Sequence, residues 1–318
     1  MKALRVTDVH VHLANVSRPA TNGEALVRVI KSGICNTDLE IARGYAGFSG
    51  TIGHEFVGVV EACEDSPELA GKRVVGEINA GCGKCDLCVA GDPRHCPTRT
   101  VLGIHGRDGA HAEFLTLPSR NLIAVPRGVS DDAAVFAEPL AAAYGISEQV
   151  QMGLGTRVAV IGDGKLGLLC AMTARLRAGS VLLVGKHPEK MSIVEKIGVE
   201  TVLLGKGTML VAGIDVVIEA SGSDSGFATA LELVKPRGKI VLKSTFHGAA
   251  KWEPSRIVVD EISIVGSRCG RLAPAIELLA SNRVNVDDLI SEEYRLEDGV
   301  AALGHAGRSG VLKVLLRP

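Results

Sequence analysis

Hydrophobic and polar positions change rhythm partway along the chain. In the first part, apolar residues come in short β-branched runs bounded by glycine, and 25–30, 56–61, 72–75, 112–117 and 122–125 each predict a strand. The run EPLAAAYGISEQV (138–150) holds good helix formers with no breaker before Gly145 and predicts a helix. From Arg157 onward strands and helices alternate. Strands are predicted over 157–162, 180–185, 214–221, 239–244 and 261–267, and helices over 165–177, 188–197, 227–234 and 274–281. Pro188 suits the first turn of its helix, where its missing N–H costs nothing. Repeated β-α-β order predicts a parallel sheet covered by helices on both faces. After about residue 289 the rhythm is strand-like again and ends in VLKVLL, so the tail is expected to pair back with the first part. The fold class is therefore α/β. A β-rich domain over 1–145, completed by 288–318, accompanies a Rossmann-type, doubly wound parallel sheet over 146–287.

Composition narrows the partners. A chain of 318 residues with 46% hydrophobic and 22% charged positions has the size of two domains and enough apolar material for buried cores. A formal net charge of -1, without a long Lys/Arg run, gives no electrostatic support for nucleic acid or an anionic membrane. The opening MKALRVTDVHVHL lacks the apolar stretch of a secretory signal, and no uncharged apolar run reaches the length of a membrane span. The expectation is a soluble cytoplasmic protein acting on a small molecule.

Eight cysteines are present, and Cys82, Cys85, Cys88 and Cys96 crowd into one short stretch. In a cytosolic chain such crowding favours metal over disulfides. Four soft thiolates at turn-forming spacing can close tetrahedrally on zinc, leaving no open position, so this site is read as structural. Two earlier segments, GICNTD (33–38) and GHE (53–55), add Cys35 and His54, a thiolate and an imidazole suited to the same metal. A third protein ligand would be a carboxylate, either Glu55 or Glu138 of AEPL. Singly, each residue has a plainer explanation as a packed thiol, a core imidazole or a salt-bridge partner. It is their combination that points to a metal centre.

Gly162, Gly164 and Gly167 of GDGKLG, with Lys165 and Leu166 between them, lie where a strand gives way to a helix. Alone the pattern is weak. In that setting it is the dinucleotide fingerprint, with backbone approaching the pyrophosphate and a helix N-terminus favouring its charge. The end of the second strand reads Gly185-Lys186-His187 and offers no acid to hold the ribose hydroxyls of NAD(H). Lys186 and His187 would attract a 2′-phosphate, so NADP(H) is favoured over NAD(H), with Glu189 the nearby feature against it.

GICNTD, GHEFVGVV, CGKCDLC with Cys96, EPLA and VIGDGKLG follow one another in an order that resembles the zinc-containing medium-chain dehydrogenases, the alcohol, sorbitol and threonine dehydrogenase group. The likeness runs over nearly the whole chain, which is somewhat short for the group, the missing residues falling around ACEDSPELAGKRV. It implies a GroES-like catalytic domain and two zinc ions per chain. It makes Cys35 and His54 catalytic-zinc ligands, Glu55 a direct or exchangeable ligand, and Glu138 a carboxylate at or near the metal. Where liver-type alcohol dehydrogenases place a ligand cysteine in this region, this chain has none. By the same likeness Thr37 relays the substrate proton, and Asp38 fixes the ligand histidine, as a carboxylate on the far ring nitrogen does. Ser221 would pass near the adenosine and nicotinamide ribose, Arg268 and Cys269 beside the nicotinamide, and Lys313 would reach the pyrophosphate.

The activity so implied is hydride transfer between an alcohol or polyol, or the matching ketone or aldehyde, and NADP(H), by a homodimer or homotetramer in which the strand EISIVGS could take part in the contact. Two rivals are a non-catalytic NADP(H)-binding sensor and a zinc-free quinone or enoyl reductase on the same fold. The intact Cys35, Thr37, Asp38, His54 and Glu55 set argues against both. His10, His12 and His105 are expected at exposed or loop positions, Cys63 and Cys170 as buried thiols, and Trp252 near a domain junction or subunit contact. Tyr45, Phe48 and Ile104 are candidate pocket residues.

Overall fold

The computed structural model describes residues 1–205, 208–244 and 254–318. Trp252 lies outside the described residues. The chain divides into two compact units, residues 1–138 with 272–318, and residues 139–271. These limits differ from the expected boundaries at 145/146 and 287/288. The helix Leu272–Ala280 belongs to the first unit, with Ala275 wholly buried. The expected helix over 138–150 is two pieces, Ala137–Tyr144 and Ile146–Gln149, with Gly145 between them.

The first unit is built on a seven-stranded sheet. In spatial order its strands are Leu122–Ala124, Arg73–Gly76, Glu55–Ala62, Ala25–Gly33, Lys313–Arg317 and Ile290–Arg295, and Phe114–Leu117 also pairs with Ala25–Gly33. The C-terminal strand runs antiparallel to the third strand of the chain, with Leu315 opposite Gly33 and Leu316 opposite Ser32. That pairing brings Lys313 into the interior. Alternation on these strands buries one apolar set, among them Val27, Val29, Phe56, Val60, Val74, Leu115 and Leu117. A second cluster joins Leu4, Ile34, Ile41 and Ile52 to Leu303, Val314 and Leu316. Phe48 and Ile104 pack against it, whereas Tyr45 is exposed. The tail contains a helix, Gly299–Ala306, where the sequence reading saw strands alone. Its buried face, Ala302, Leu303 and Ala306, meets the second cluster, and this long-range burial is what its alanine- and glycine-rich pattern failed to announce.

The second unit is a six-stranded parallel sheet in the order Glu200–Leu203, Ser180–Gly185, Arg157–Ile161, Ile214–Glu219, Val234–Leu242, Ser263–Gly266. Counted along this unit, the order is that of a doubly wound dinucleotide fold, with the chain reversing direction of growth at Arg157–Ile161. Central strands read as unbroken apolar runs, such as RVAVI, because helices cover both faces. Glu200–Leu203, mixed in composition, was not anticipated. Ser263–Gly266 is an edge strand. Among the described residues no helix is long and apolar enough to cross a membrane.

Leu117 is fully buried in the first cluster. Leu117→Ala is expected to destabilise the protein by about 3 kcal/mol, the usual cost of such a cavity, read as a lower denaturation midpoint in urea.

Candidate metal and dinucleotide sites

Asp38 organises the first site. It stands in the first turn of the helix Asn36–Ala42 and is wholly buried. Its Oδ2 accepts from the backbone N–H of Cys35 at 2.8 Å and its Oδ1 from that of Gly53 at 3.1 Å. One carboxylate thus joins the GICNTD turn to the GHE turn. His54 Nδ1 lies 3.5 Å from Oδ1, and His111 Nε2 lies 3.6 Å from Oδ2. Burial alone would push Asp38 up, but the charge of His54 and bonding with both imidazoles hold it far below the ordinary carboxylate range. His54 answers in kind. Burial opposes its charge, yet Asp38 and the Cys35 sulfur raise it well above an ordinary imidazole.

The ligand atoms of Cys35, His54 and Glu55 lie within 4.8 Å of one another. Glu55 is wholly buried, and its Oε1 has no hydrogen-bond partner. A soft thiolate, an imidazole and an unsatisfied buried carboxylate oxygen, all converging, make a donor set that fits zinc. With Asp38 beside Nδ1, the other ring nitrogen of His54 is left as the donor. Glu138 falls outside this cluster. It keeps some contact with solvent but is deeply set. Desolvation pushes its carboxyl up to about 7, with His54 and Lys313 opposing the rise and Glu55 and Glu77 adding to it. Thr37 Oγ1 stands 3.7 Å from Cys35 Sγ, next to the cluster.

Lys313 is not where the resemblance put it. It is fully buried, pairs with Glu55 Oε2, approaches the Ile34 carbonyl at 3.4 Å and lies 5.6 Å from the centre of the Phe136 ring. The strand pairing of the tail directs it into the first unit, where it neutralises Glu55 and has no surface to offer a pyrophosphate. Burial would lower its ammonium, but Glu55 and Cys35 raise it.

His111 was passed over in the sequence. It is wholly buried between Ala110 and Ala112, its Nδ1 is 2.8 Å from Ser32 Oγ, and its Nε2 faces Asp38. Gly53, at φ +103°, makes room for it, since a Cβ there would lie 2.6 Å from Nδ1. The signal was a histidine set among small buried residues in GAHAEF, with no ligand spacing to draw notice.

The second cluster is Cys82, Cys85, Cys88 and Cys96, whose sulfurs also lie within 4.8 Å of one another. Tetrahedral Zn–S bonds would place them about 3.8 Å apart, within that limit. None of the eight cysteines forms a disulfide. Cys96 is drawn down to about 6 by the Cys82 backbone N–H and by Thr98, while desolvation pushes Cys88 up to about 11. Four sulfurs this close could not all ionise unaided, and a divalent ion would let them do so.

In the second unit the glycine turn has the three properties a dinucleotide needs. Gly162 turns at φ +110°, Gly164 opens onto empty space at the N-cap of the helix Lys165–Arg175, and Gly167 packs against the Gly162 carbonyl with no room for a Cβ. Lys165 and Leu166 begin that helix. Ser221 Oγ donates to Glu219 at 2.6 Å, so its hydroxyl is engaged in its own turn. The carbonyl of Arg268, on the segment with Cys269, accepts from Lys243 at 2.7 Å.

The absence of an acid at the end of Ser180–Gly185 is true of the sequence and untrue of the space. Asp163, inside the glycine motif, places Oδ2 2.6 Å from the backbone nitrogens of both Lys186 and His187, and Oδ1 3.0 Å from His187 Nδ1. A chain folded strand-turn-helix brings residue 163 over Gly185, where a Cβ would sit 2.7 Å from that carboxylate.

Residues 21–127 match the family model for the alcohol dehydrogenase GroES-like domain, and residues 166–281 match that for zinc-binding dehydrogenase. The chain is 31% identical over 313 residues to sorbitol dehydrogenase from Halalkalibacterium halodurans, aligned over 92% of this chain and 91% of that protein. It resembles a Sinorhizobium meliloti 1021 structure bound to NADP, with a TM-score of 0.88 and 29% identity, covering 100% of this chain and 99% of the other. It also resembles an Escherichia coli CFT073 structure described as a short chain alcohol dehydrogenase and complexed with NADH, with a TM-score of 0.91, 26% identity and the same coverage.

Removing Lys313 strands the Glu55 charge in the interior. Lys313→Ala is expected to cost about 3–5 kcal/mol in urea denaturation, and the double variant Lys313→Met, Glu55→Gln much less, because it removes both charges together.

Proposed function

Because the chain belongs to the zinc-containing medium-chain dehydrogenase family, pairing a GroES-like unit with a Rossmann-type unit, we propose that this oxidoreductase moves hydride between an alcohol or polyol, or the matching ketone or aldehyde, and a nicotinamide cofactor. The observation that carries this reading is the Cys35–His54–Glu55 cluster, with His54 and Glu55 buried and one carboxylate oxygen unsatisfied. A zinc-free reductase would have no use for it. The family's sorbitol dehydrogenase relative supports a polyol or secondary alcohol as substrate.

Cys35, His54 and Glu55 would hold the catalytic zinc, with Glu138 the alternative carboxylate, and Cys82, Cys85, Cys88 and Cys96 a structural one. Bound zinc would supply Lewis acidity toward the substrate oxygen, and the nicotinamide would accept or return the hydride. Asp38 keeps His54 oriented from behind, and Lys313 holds one oxygen of Glu55 while the other stays available. Thr37, beside Cys35, is the hydroxyl we assign to carrying the substrate proton away. The turn Gly162, Gly164, Gly167 and the N-terminus of Lys165–Arg175 would take the pyrophosphate. Lys186 and His187 support NADP(H), while the carboxylate of Asp163 among them weighs against it. The edge strand Ser263–Gly266 is available for a homodimer or homotetramer contact, and a cytoplasmic location would keep the clustered thiols reduced for zinc.

Purified protein is expected to carry two zinc ions per chain, measured by mass-spectrometric metal analysis and expressed to the nearest whole ion. Cys82→Ala should lose one and lower stability. Cys35→Ala should lose the other and abolish polyol oxidation with little change in cofactor binding. Retention of full zinc in Cys35→Ala would refute the catalytic-metal assignment.

A further inference from the structure

We propose that Asp163 is the group that recognises the adenosine ribose, so that the chain selects NAD(H) and rejects NADP(H); this rests on the nicotinamide reading above. In dinucleotide folds of this order an acid at the end of the second strand accepts from the ribose hydroxyls, and cationic side chains there accommodate a 2′-phosphate instead. Here the strand end carries Lys186 and His187, the second pattern by sequence. In space, a carboxylate from the glycine turn is seated on both residues.

Three donors that would greet a phosphate, two backbone N–H groups and one ring nitrogen, are already turned to Asp163. The backbone N–H groups of Lys186 and His187 both donate to Asp163 Oδ2, and the His187 ring lies 3.0 Å from Oδ1. A 2′-phosphate arriving there would meet a fixed negative charge and find the backbone donors taken. A ribose would meet an acceptor. Two carboxylate oxygens have about four lone-pair sites, and the donors from Lys186 and His187 leave capacity on Oδ1 for a hydroxyl. The side chain is 10% exposed, so it is fixed in place but still reachable. Burial works against its charge, but His187 and the two N–H groups keep it ionised. Gly185 is part of the device, because any side chain there would evict the carboxylate.

A purely structural role, tying the glycine turn to the start of the helix Pro188–Glu195, would leave the choice between dinucleotides unchanged. The test is therefore a ratio of affinities. Calorimetric titration of the full chain with NADH and NADPH should show NADH at least about tenfold tighter. Asp163→Asn keeps an oxygen for the two backbone donors and removes the charge, and Asp163→Ser opens the space. Both should shift the affinity ratio toward NADPH by about tenfold or more at unchanged zinc content and circular dichroism. If the variants fail to fold, wild-type protein titrated with 5′-AMP and adenosine 2′,5′-bisphosphate answers the same question, with 5′-AMP expected to bind tighter. Tighter NADPH binding by the wild type, tighter bisphosphate binding, or an unchanged ratio in folded variants would overturn the proposal. Binding of neither dinucleotide by zinc-replete wild type would overturn the nicotinamide reading and this one with it.

Discussion

A carboxylate without solvent contact is tolerated only where donors surround it, and Asp38 joins the two turns that carry Cys35 and His54. The N–H of Cys35 and the N–H of Gly53 come from segments separated in sequence, and their common acceptor sets the distance between the Cys35 sulfur and the His54 ring. Two imidazoles flank the same group from different sides, His54 from the metal cluster and His111 from the strand-facing interior. Neutralising Asp38 would therefore loosen the turns, the ring orientation and the packing of His111 together. The cluster is only as well placed as this one anion.

Charge balance explains why Lys313 is buried. Glu55 and Asp38 place two carboxylates close together in a low-dielectric interior, with His54 as the near counterweight. A second cation on the C-terminal strand, paired with Glu55, makes that crowding tolerable. It also divides the labour of the carboxylate, one oxygen fixed by the ammonium and the other buried without a hydrogen-bond partner. The return of the tail to the first sheet is thus part of the chemistry, since the strand that completes the sheet delivers the cation.

Much of this could be read along the chain. Strands with unbroken apolar runs, such as 157–161 and 180–185, announce a sheet buried on both faces, and the four cysteines come together because local spacing alone suffices. Cys35 and His54, singled out by their glycine-flanked turns, lie together in space. What stayed hidden depends on contacts between distant segments. Lys313 reads as an ordinary basic residue until the tail pairs with 25–33, and His111 as a lone histidine until Gly53 makes room beside it. The helix Gly299–Ala306 has a small-residue pattern that only the buried cluster beneath it makes decisive.

Asp163 shows the same limit in a sharper form. The rule that an acid ends the second strand is a statement about position in the chain, and it holds because chain position usually fixes position in space. In a strand-turn-helix unit the glycine turn and the end of the neighbouring strand lie side by side, so a side chain from either can occupy the same volume. Gly185, at the strand end, has no side chain and so concedes that volume to residue 163. A ligand meets the charge and not its address. The pair Lys186–His187, which by sequence alone would receive a phosphate, presents its backbone donors and one ring nitrogen to an internal anion. Asp38 and Asp163 are alike in this respect. Each is a carboxylate that accepts from backbone N–H of a segment it does not belong to, Gly53 for Asp38 and Lys186 with His187 for Asp163, and each shapes what a neighbouring ligand would find there.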